Sequence, residues 1–329
     1  MLYDTFQRPH QYLRISLTES CNLRCFYCMP EEGVEHSPLA SWMTANEVLA
    51  IARTFVDLGV TKIRLTGGEP LLRKDAGQII ELLGALPVHL TMTTNGILIH
   101  QYIAILKKAG IKNVNVSLDT LDADKFALVT KRPSFERVRD NIQLLLQEGF
   151  RVKLNVVLMR AINWDELLDF VALTQKQTIG IQFIEFMPFD GNRWDWSKGI
   201  GLAEILTQVE QHYGAEQVLR VGNKPHDTAI NYKIKGHQGN FSIISTITNP
   251  FCSTCNRIRL TANGRLKNCL FSKTETDILG PLRAGEDIVP LIHSNLAAKA
   301  KSRGGMEQFE DFADPQQHGK NRSMILIGG

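Results

Sequence analysis

No stretch of this 329-residue chain stays apolar for the length of a membrane crossing, and no internal repeat or low-complexity tract interrupts it. A soluble globular protein is therefore expected, and a solenoid or a disordered linker is not. Net charge is scarce too: the formal balance is only +3, which gives no general field for nucleic acid. An anionic substrate would have to be held by local arginines. The first ten residues, M-L-Y-D-T-F-Q-R-P-H, lack the apolar core of a secretory signal, so a reducing cytoplasm is the expected compartment. Cysteine is sparse, with six in the chain, and in that compartment thiols rather than disulfides are expected.

What is there is organised around those six cysteines. Cys21, Cys25 and Cys28 stand in a C-x-x-x-C-x-x-C loop after a short apolar run. Three thiolates so close can hold three corners of a [4Fe–4S] cluster, leaving its fourth iron without a protein ligand. A structural zinc site would need a closed tetrahedron, and no fourth ligand lies nearby in the sequence. Cys252, Cys255 and Cys269 form a second trio, a C-x-x-C followed by a third thiol beyond a hairpin-like stretch. Spacing leaves two options for this trio: zinc completed by an outside ligand such as histidine, or a second open cluster.

With 43% hydrophobic residues the chain can bury a large core, in one big domain or two. From about residue 12 to 185 β-like and helix-like segments alternate, with strands expected at 13–17, 62–66, 88–93, 113–118, 153–158 and 181–185. Thr44 and Glu47 form a capping box at the head of a helix expected over 44–58, and Gly59, Gly110 and Gly149 fall where helices should stop. Six β/α units predict an incomplete (β/α)6 TIM-like barrel, since a closed one needs eight. Its active face should lie at the strand C-termini, where the cysteine loop, Gly67-Gly68-Glu69-Pro70, Thr93-Thr94-Asn95-Gly96, Ser117 with Asp119, and Glu185-Phe186-Met187-Pro188 all fall.

Beyond residue 200 the rhythm changes. A helix is expected at 202–212, then strands at 229–234, 241–247, 257–260 and 265–267, the last two joined through Asn263-Gly264, and a final helix at 288–302. The division expected is a barrel over 1–200 and an extension over 201–329 that carries the second trio and closes the barrel's open side. The end of the chain, Met324-Ile325-Leu326-Ile327-Gly328-Gly329, is apolar enough to dock, and its glycines can approach a ligand closely.

The cysteine loop, with an aromatic residue before its last cysteine, resembles that of the radical S-adenosylmethionine (SAM) superfamily. The runs L-R-I-S-L-T-E-S-C-N-L-R-C-F-Y-C-M-P, I-R-L-T-G-G-E-P, N-V-S-L-D, F-I-E-F-M and F-C-S-T-C-N-R-I-R-L, with the terminal Gly-Gly, narrow the resemblance to the GTP 3′,8-cyclases of molybdenum cofactor biosynthesis. It implies that Cys21, Cys25 and Cys28 hold a SAM-binding [4Fe–4S] cluster, and Cys252, Cys255 and Cys269 a second one whose open iron meets the substrate's guanine. It also implies SAM contacts from Tyr27, Gly68, Glu69, Ser117 and Met187, and GTP contacts from Arg14, Arg64, Thr93, Lys153, Arg257, Ile258 and Arg259. Arg14, Arg257, Arg259, Gly328 and Gly329 would be the catalytic group.

The implied reaction takes a hydrogen atom from C3′ of GTP after SAM cleavage, and the ribose carbon then bonds C8 of guanine. An electron donor, a homodimer and a downstream cyclic pyranopterin monophosphate synthase come with the resemblance; a nucleic-acid or membrane partner does not. Chemistry agrees with the arginines, because guanidinium groups bind phosphate through bidentate, charge-assisted hydrogen bonds. Two other readings share part of the pattern. One is a radical SAM enzyme acting on a peptide or RNA, which would use more C-terminal cysteines. The other is a zinc-stabilised binding module without catalysis.

Overall fold

The computed structural model describes residues 1–30, 32–223, 225–313 and 322–328. Six strands begin the fold: β1 (Tyr12–Ser16), β2 (Lys62–Thr66), β3 (His89–Thr94), β4 (Asn113–Ser117), β5 (Arg151–Leu158) and β6 (Gly180–Glu185). Each pairs in parallel with the next. The crossovers carry α1 (Ala45–Asp57), α2 (Ala76–Gly84), α3 (Ile103–Lys108), α4 (Ala123–Thr130), α5 (Phe135–Gln147) and α6 (Leu167–Leu173). The Thr44 hydroxyl accepts from the Glu47 N–H at 3.3 Å while the Glu47 carboxylate accepts from the Thr44 N–H at 2.7 Å, so the expected capping box is formed. Gly59, Gly110 and Gly149, with φ of 100°, 71° and 80°, turn the chain out of α1, α3 and α5.

After α7 (Leu202–Tyr213) come β7 (Val218–Val221), β8 (Ile230–Ile234) and β9 (Asn240–Ile244), then β10 (Arg257–Leu260), β11 (Arg265–Lys267) and β12 (Thr276–Asp277). These strands do not form a sheet of their own. One sheet runs β12-β11-β10-β1-β2-β3-β4-β5-β6-β9-β8-β7. β10 lies parallel to β1 and β9 parallel to β6, so the later segment covers both edges of the six-stranded parallel core. Those edges would otherwise present rows of unpaired N–H and C=O groups. The sheet stays open, an incomplete (β/α)6 barrel with its C-terminal extension built into the sheet's margins.

The chain ends through α8 (Leu279–Arg283), α9 (Val289–Ala297), α10 (Glu310–Ala313) and α11 (Met324–Ile327). The main core holds alternate strand residues such as Leu13, Ile15, Ile63, Leu65, Ile258 and Leu260 against the helices. A smaller cluster of Phe189, Ile247, Phe271, Met306, Phe312 and Ile327 sits beside the second cysteine loop and seats α11. Among the described residues no helix is long and apolar enough to cross a membrane.

Candidate active site

Strand alternation sends every second residue into the barrel, and parallel register lines those residues up across neighbouring strands. Arg14 on β1 stands between Arg259 on β10 and Arg64 on β2; two residues earlier Tyr12 stands between Arg257 and Lys62. Lys153 on β5 is level with Asn115 on β4, and Asn155 with Ser117 and Gln182. All these side chains line one cavity of about 570 Å³. Both cysteine trios line it as well, Cys21, Cys25 and Cys28 from the loop after β1 and Cys252, Cys255 and Cys269 from the extension.

The cations of this floor crowd one another. Burial, with Arg259, Arg257 and Arg64 nearby and Tyr12 opposing them, holds the Arg14 guanidinium well below its usual range. Burial and Arg257 bring Arg259 down to about 10 against the pull of nearby thiols and Tyr12. Burial alone would raise the Tyr12 phenol, but Arg64, Arg14, Arg257 and Lys62 outweigh it and bring it down to about 6. Lys62 lies 4.5 Å over the Tyr12 ring, and Arg64 Nε donates to its oxygen at 2.6 Å. Arg64 Nη1 also donates to Thr93 Oγ1 at 3.0 Å and to the Met92 carbonyl at 2.9 Å. Arg257 Nε and Thr66 Oγ1 are buried with no hydrogen-bond partner among the described residues. A floor of buried cations with orphaned donors fits an anion.

Around the first trio the surroundings are acidic. Burial raises the Cys21 thiol to about 11, with Glu69 adding to it; burial also raises Cys25 and Cys28, with neighbouring thiols and Asp119 adding. Tyr27 donates to Asp119 Oδ2 at 2.5 Å, and Val157 N–H to Asp119 Oδ1 at 2.9 Å; burial nevertheless lifts Asp119 to about 6. Around the second trio the neighbours are Arg8, Arg257 and Lys299. For Cys255 burial raises the thiol, yet Lys299 and the Arg257 N–H more than offset it.

The six cysteines are free thiols. Among the described residues no three His, Cys, Asp or Glu side chains are gathered as the ligands of one metal ion would be. The sulfurs do collect N–H donors: Leu23 N at 3.4 Å and Asn95 Nδ2 at 3.8 Å on Cys21, Arg303 N at 3.4 Å on Cys252, and Lys299 Nζ at 3.8 Å on Cys255. Such donors are what thiolate ligands of an iron–sulfur group require, and the donor set of each trio fits one.

Of the residues expected at the site, Tyr27, Gly68, Ser117, Met187, Arg14, Arg64, Thr93, Lys153, Arg257 and Arg259 reach the cavity wall with the six cysteines. Glu69 does not line it: the carboxylate is fully buried and accepts from Leu71 N, Thr94 Oγ1 and Asn95 N at 3.1, 2.8 and 2.7 Å. Burial lifts it to about 7 against those donors. The Ile258 side chain packs into the main core on the opposite face of β10. Gly328 receives a hydrogen bond from Arg259 Nη1 at its carbonyl, and Gly329 lies outside the described residues. Tyr12 and Lys62 were not expected at the site, although their i−2 spacing from Arg14 and Arg64 places them on the same strand faces.

An open parallel barrel with a three-cysteine loop after its first strand defines a radical SAM protein. Residues 15–174 match the Radical SAM superfamily and residues 179–304 match Molybdenum Cofactor Synthesis C. The fold resembles that of Streptococcus suis SuiB bound to S-adenosylmethionine, with a TM-score of 0.65 at 16% identity over 97% of this chain and 77% of that one. "GTP 3′,8-cyclase, mitochondrial" of Arabidopsis thaliana is 43% identical over all of this chain and 84% of its own length. "Molybdenum cofactor biosynthesis protein 1" of Mus musculus is 45% identical over 99% of this chain and 51% of its own length. The chain thus spans about half the length of that relative, and it belongs to the GTP 3′,8-cyclase family.

Proposed function

We propose that this protein binds GTP on the cationic floor between its two cysteine trios and joins C3′ of the ribose to C8 of the guanine. The observation that carries the reading is the shared cavity: a register-aligned row of buried cations, from Arg259 through Arg14 to Arg64, lines the same cavity as both trios of thiols. A triphosphate supplies the negative charge this row lacks, and guanidinium groups fix it by paired hydrogen bonds. One end of the nucleotide is anchored in this way, and the purine is then directed to the trio of Cys252, Cys255 and Cys269.

Cys21, Cys25 and Cys28 would hold one [4Fe–4S] cluster and the second trio another; with SAM they supply the one-electron chemistry of the superfamily. The chain's own residues do the rest. Gly68 lies on the cavity wall and packs against the cysteine loop, where a Cβ would stand 2.3 Å from the Ser20 carbonyl oxygen, so the glycine lets the end of β2 close on the loop that would hold SAM. Tyr27, Ser117 and Met187 shape the wall beside it. Glu69, buried behind that wall, ties β2 to the end of β3 through Thr94 and Asn95, and Asn95 in turn reaches Cys21; we assign it a supporting role for the SAM-side loop. The Gly328 carbonyl accepts from Arg259, so the terminal segment reaches the substrate side and helps fix that guanidinium.

We divide the labour at residue 200, with residues 1–200 building the SAM side and residues 201–329 the guanine side. The reading carries with it an external electron donor, a homodimer, a cytoplasmic setting, and a downstream cyclic pyranopterin monophosphate synthase. To test it, the protein is reconstituted anaerobically with iron and sulfide, then given dithionite, SAM and GTP. Formation of 5′-deoxyadenosine together with a cyclised GTP of unchanged mass formula supports the reading. SAM cleavage that leaves GTP intact would refute the substrate.

A further inference from the structure

Lys299 follows α9 by two residues, and its N–H still bonds the Leu296 carbonyl at 3.0 Å. The side chain turns inward and is only 4% exposed. Its ammonium donates to the Arg257 carbonyl at 3.0 Å and to Cys255 Sγ at 3.8 Å, and no carboxylate pairs with it among the described residues. A buried ammonium without a counter-anion is costly; the carboxylate of this neighbourhood, Asp4, is already taken up by Arg8 at 2.5 Å and His10 at 3.1 Å, Arg8 also donates to the Cys252 carbonyl at 2.8 Å, and Arg257 and Arg259 stand on β10. The group able to carry negative charge that its ammonium touches is the Cys255 sulfur of the second trio. Among the described residues no lysine plays this part at the first trio, where the Cys21 sulfur meets the neutral donors Leu23 N and Asn95 Nδ2.

We propose that Lys299 is the counter-charge of the second trio: acting through Cys255, it retains the iron–sulfur cluster there and raises that cluster's reduction potential. A [4Fe–4S] group bound by thiolates is anionic, and each one-electron reduction adds a further negative charge to it. A fixed ammonium against one of its sulfurs stabilises the more negative form. The ammonium thereby gains the partner that the apoprotein denies it. Lys299 touches neither substrate nor SAM on this account; it is a positioning and charge-setting residue. The inference rests on the second trio holding a cluster and not on which substrate is cyclised.

The test uses the full chain reconstituted anaerobically, as the unsubstituted protein, as Lys299→Met and as Lys299→Arg. Each is titrated with dithionite in the presence of redox mediators and followed by electron paramagnetic resonance, with SAM added to mark the first cluster's signal. In Lys299→Met the midpoint of the second signal is expected to shift to more negative potential and its iron to be lost to a chelator several-fold faster, with the first signal unmoved. Lys299→Arg is expected to restore both. The Lys299→Met apoprotein should unfold at no lower temperature than the unsubstituted one, since a buried unpaired charge has gone. An unshifted second midpoint, equal shifts of both signals, a destabilised apoprotein, or the absence of a second cluster would each overturn the proposal. Absence of cyclised GTP alongside the expected shifts would refute the substrate reading and leave this one standing.

Discussion

Tyr12 lies beneath Lys62 and Arg257 and accepts a hydrogen bond from Arg64, so its phenol titrates near 6 despite full burial. A folded pKa depressed from 10 contributes stability that is complete above about pH 10 and disappears as pH falls through about 6. Denaturant unfolding of the apoprotein should therefore show stability rising between those limits, with a smaller rise in Tyr12→Phe; parallel curves would contradict the cation crowding. A bound triphosphate would take over as counter-anion and return the proton to Tyr12. GTP binding should then take up protons and weaken as pH rises from about 6, which calorimetry in buffers of different ionisation enthalpy would register. At the same floor, Arg259→Ala removes a charge-assisted phosphate contact worth about 1.5–3 kcal/mol and should weaken GTP binding roughly 10- to 100-fold. SAM binding measured on the same variant should be unchanged.

At the scale of elements, the terminal helix α11 is held by contacts to both cysteine loops. Ser323 donates to the Cys28 carbonyl at 2.6 Å, and Arg322 grips Glu275 with hydrogen bonds of 2.9 and 2.7 Å while lying 3.6 Å from Glu19. Arg322→Ala should raise hydrogen exchange over residues 322–328 and leave exchange in β1–β6 as it was. Removal of Gly328 and Gly329 should spare SAM cleavage and abolish cyclisation; a normal yield of cyclised nucleotide would exclude a role for the tail. Gly68→Ala places a methyl group 2.3 Å from the Ser20 oxygen and 3.1 Å from Ile325, so it should lower stability by about 1–3 kcal/mol and weaken SAM binding.

Elements were also what the sequence made most legible. The six core strands were readable as β-prone runs, four of them following Gly59, Gly110, Gly149 or Gly180, and α1 because its capping box is written in Thr44 and Glu47. β7 is not legible in the sequence, because its four residues, V-L-R-V, are mostly exposed and give no inside–outside alternation. The last long helix stops at Ala297, short of the expected 302, because the chain then turns to bring Lys299 and Arg303 to the second trio. Tyr12 and Lys62 carry no motif of their own; only the two-residue period from Arg14 and Arg64 marks the strand face they share. Glu69 and Ile258 belong to motifs, and a motif carries no side-chain direction: the Glu69 carboxylate turns to Leu71, Thr94 and Asn95, and Ile258 turns into the main core.

For the molecule as a whole, the feature least visible in the sequence is that the two segments share one sheet. Pairing Tyr12 with Arg257 joins residues 245 positions apart, and no local pattern encodes a contact of that range. Its consequence is rigidity where it matters: the strand carrying Arg257 and Arg259 leads directly from the second trio and is hydrogen-bonded to the strand that leads into the first. The distance between the two trios is thereby set by sheet geometry and not by a hinge. Replacing Cys255 with alanine should remove one cluster and GTP cyclisation while leaving the barrel folded and the first cluster able to cleave SAM, as iron analysis and 5′-deoxyadenosine release would show.

The most direct test of the central claim, that one cavity holds two clusters with GTP between them, is iron and sulfide analysis of the anaerobically reconstituted protein followed by chromatographic separation and fragmentation mass spectrometry of the nucleotides after dithionite, SAM and GTP, since the cyclised product is an isomer of GTP. About eight irons per chain, with 5′-deoxyadenosine and cyclised GTP both formed, is the predicted result. About four irons, or zinc in place of iron, with GTP recovered unchanged would contradict it.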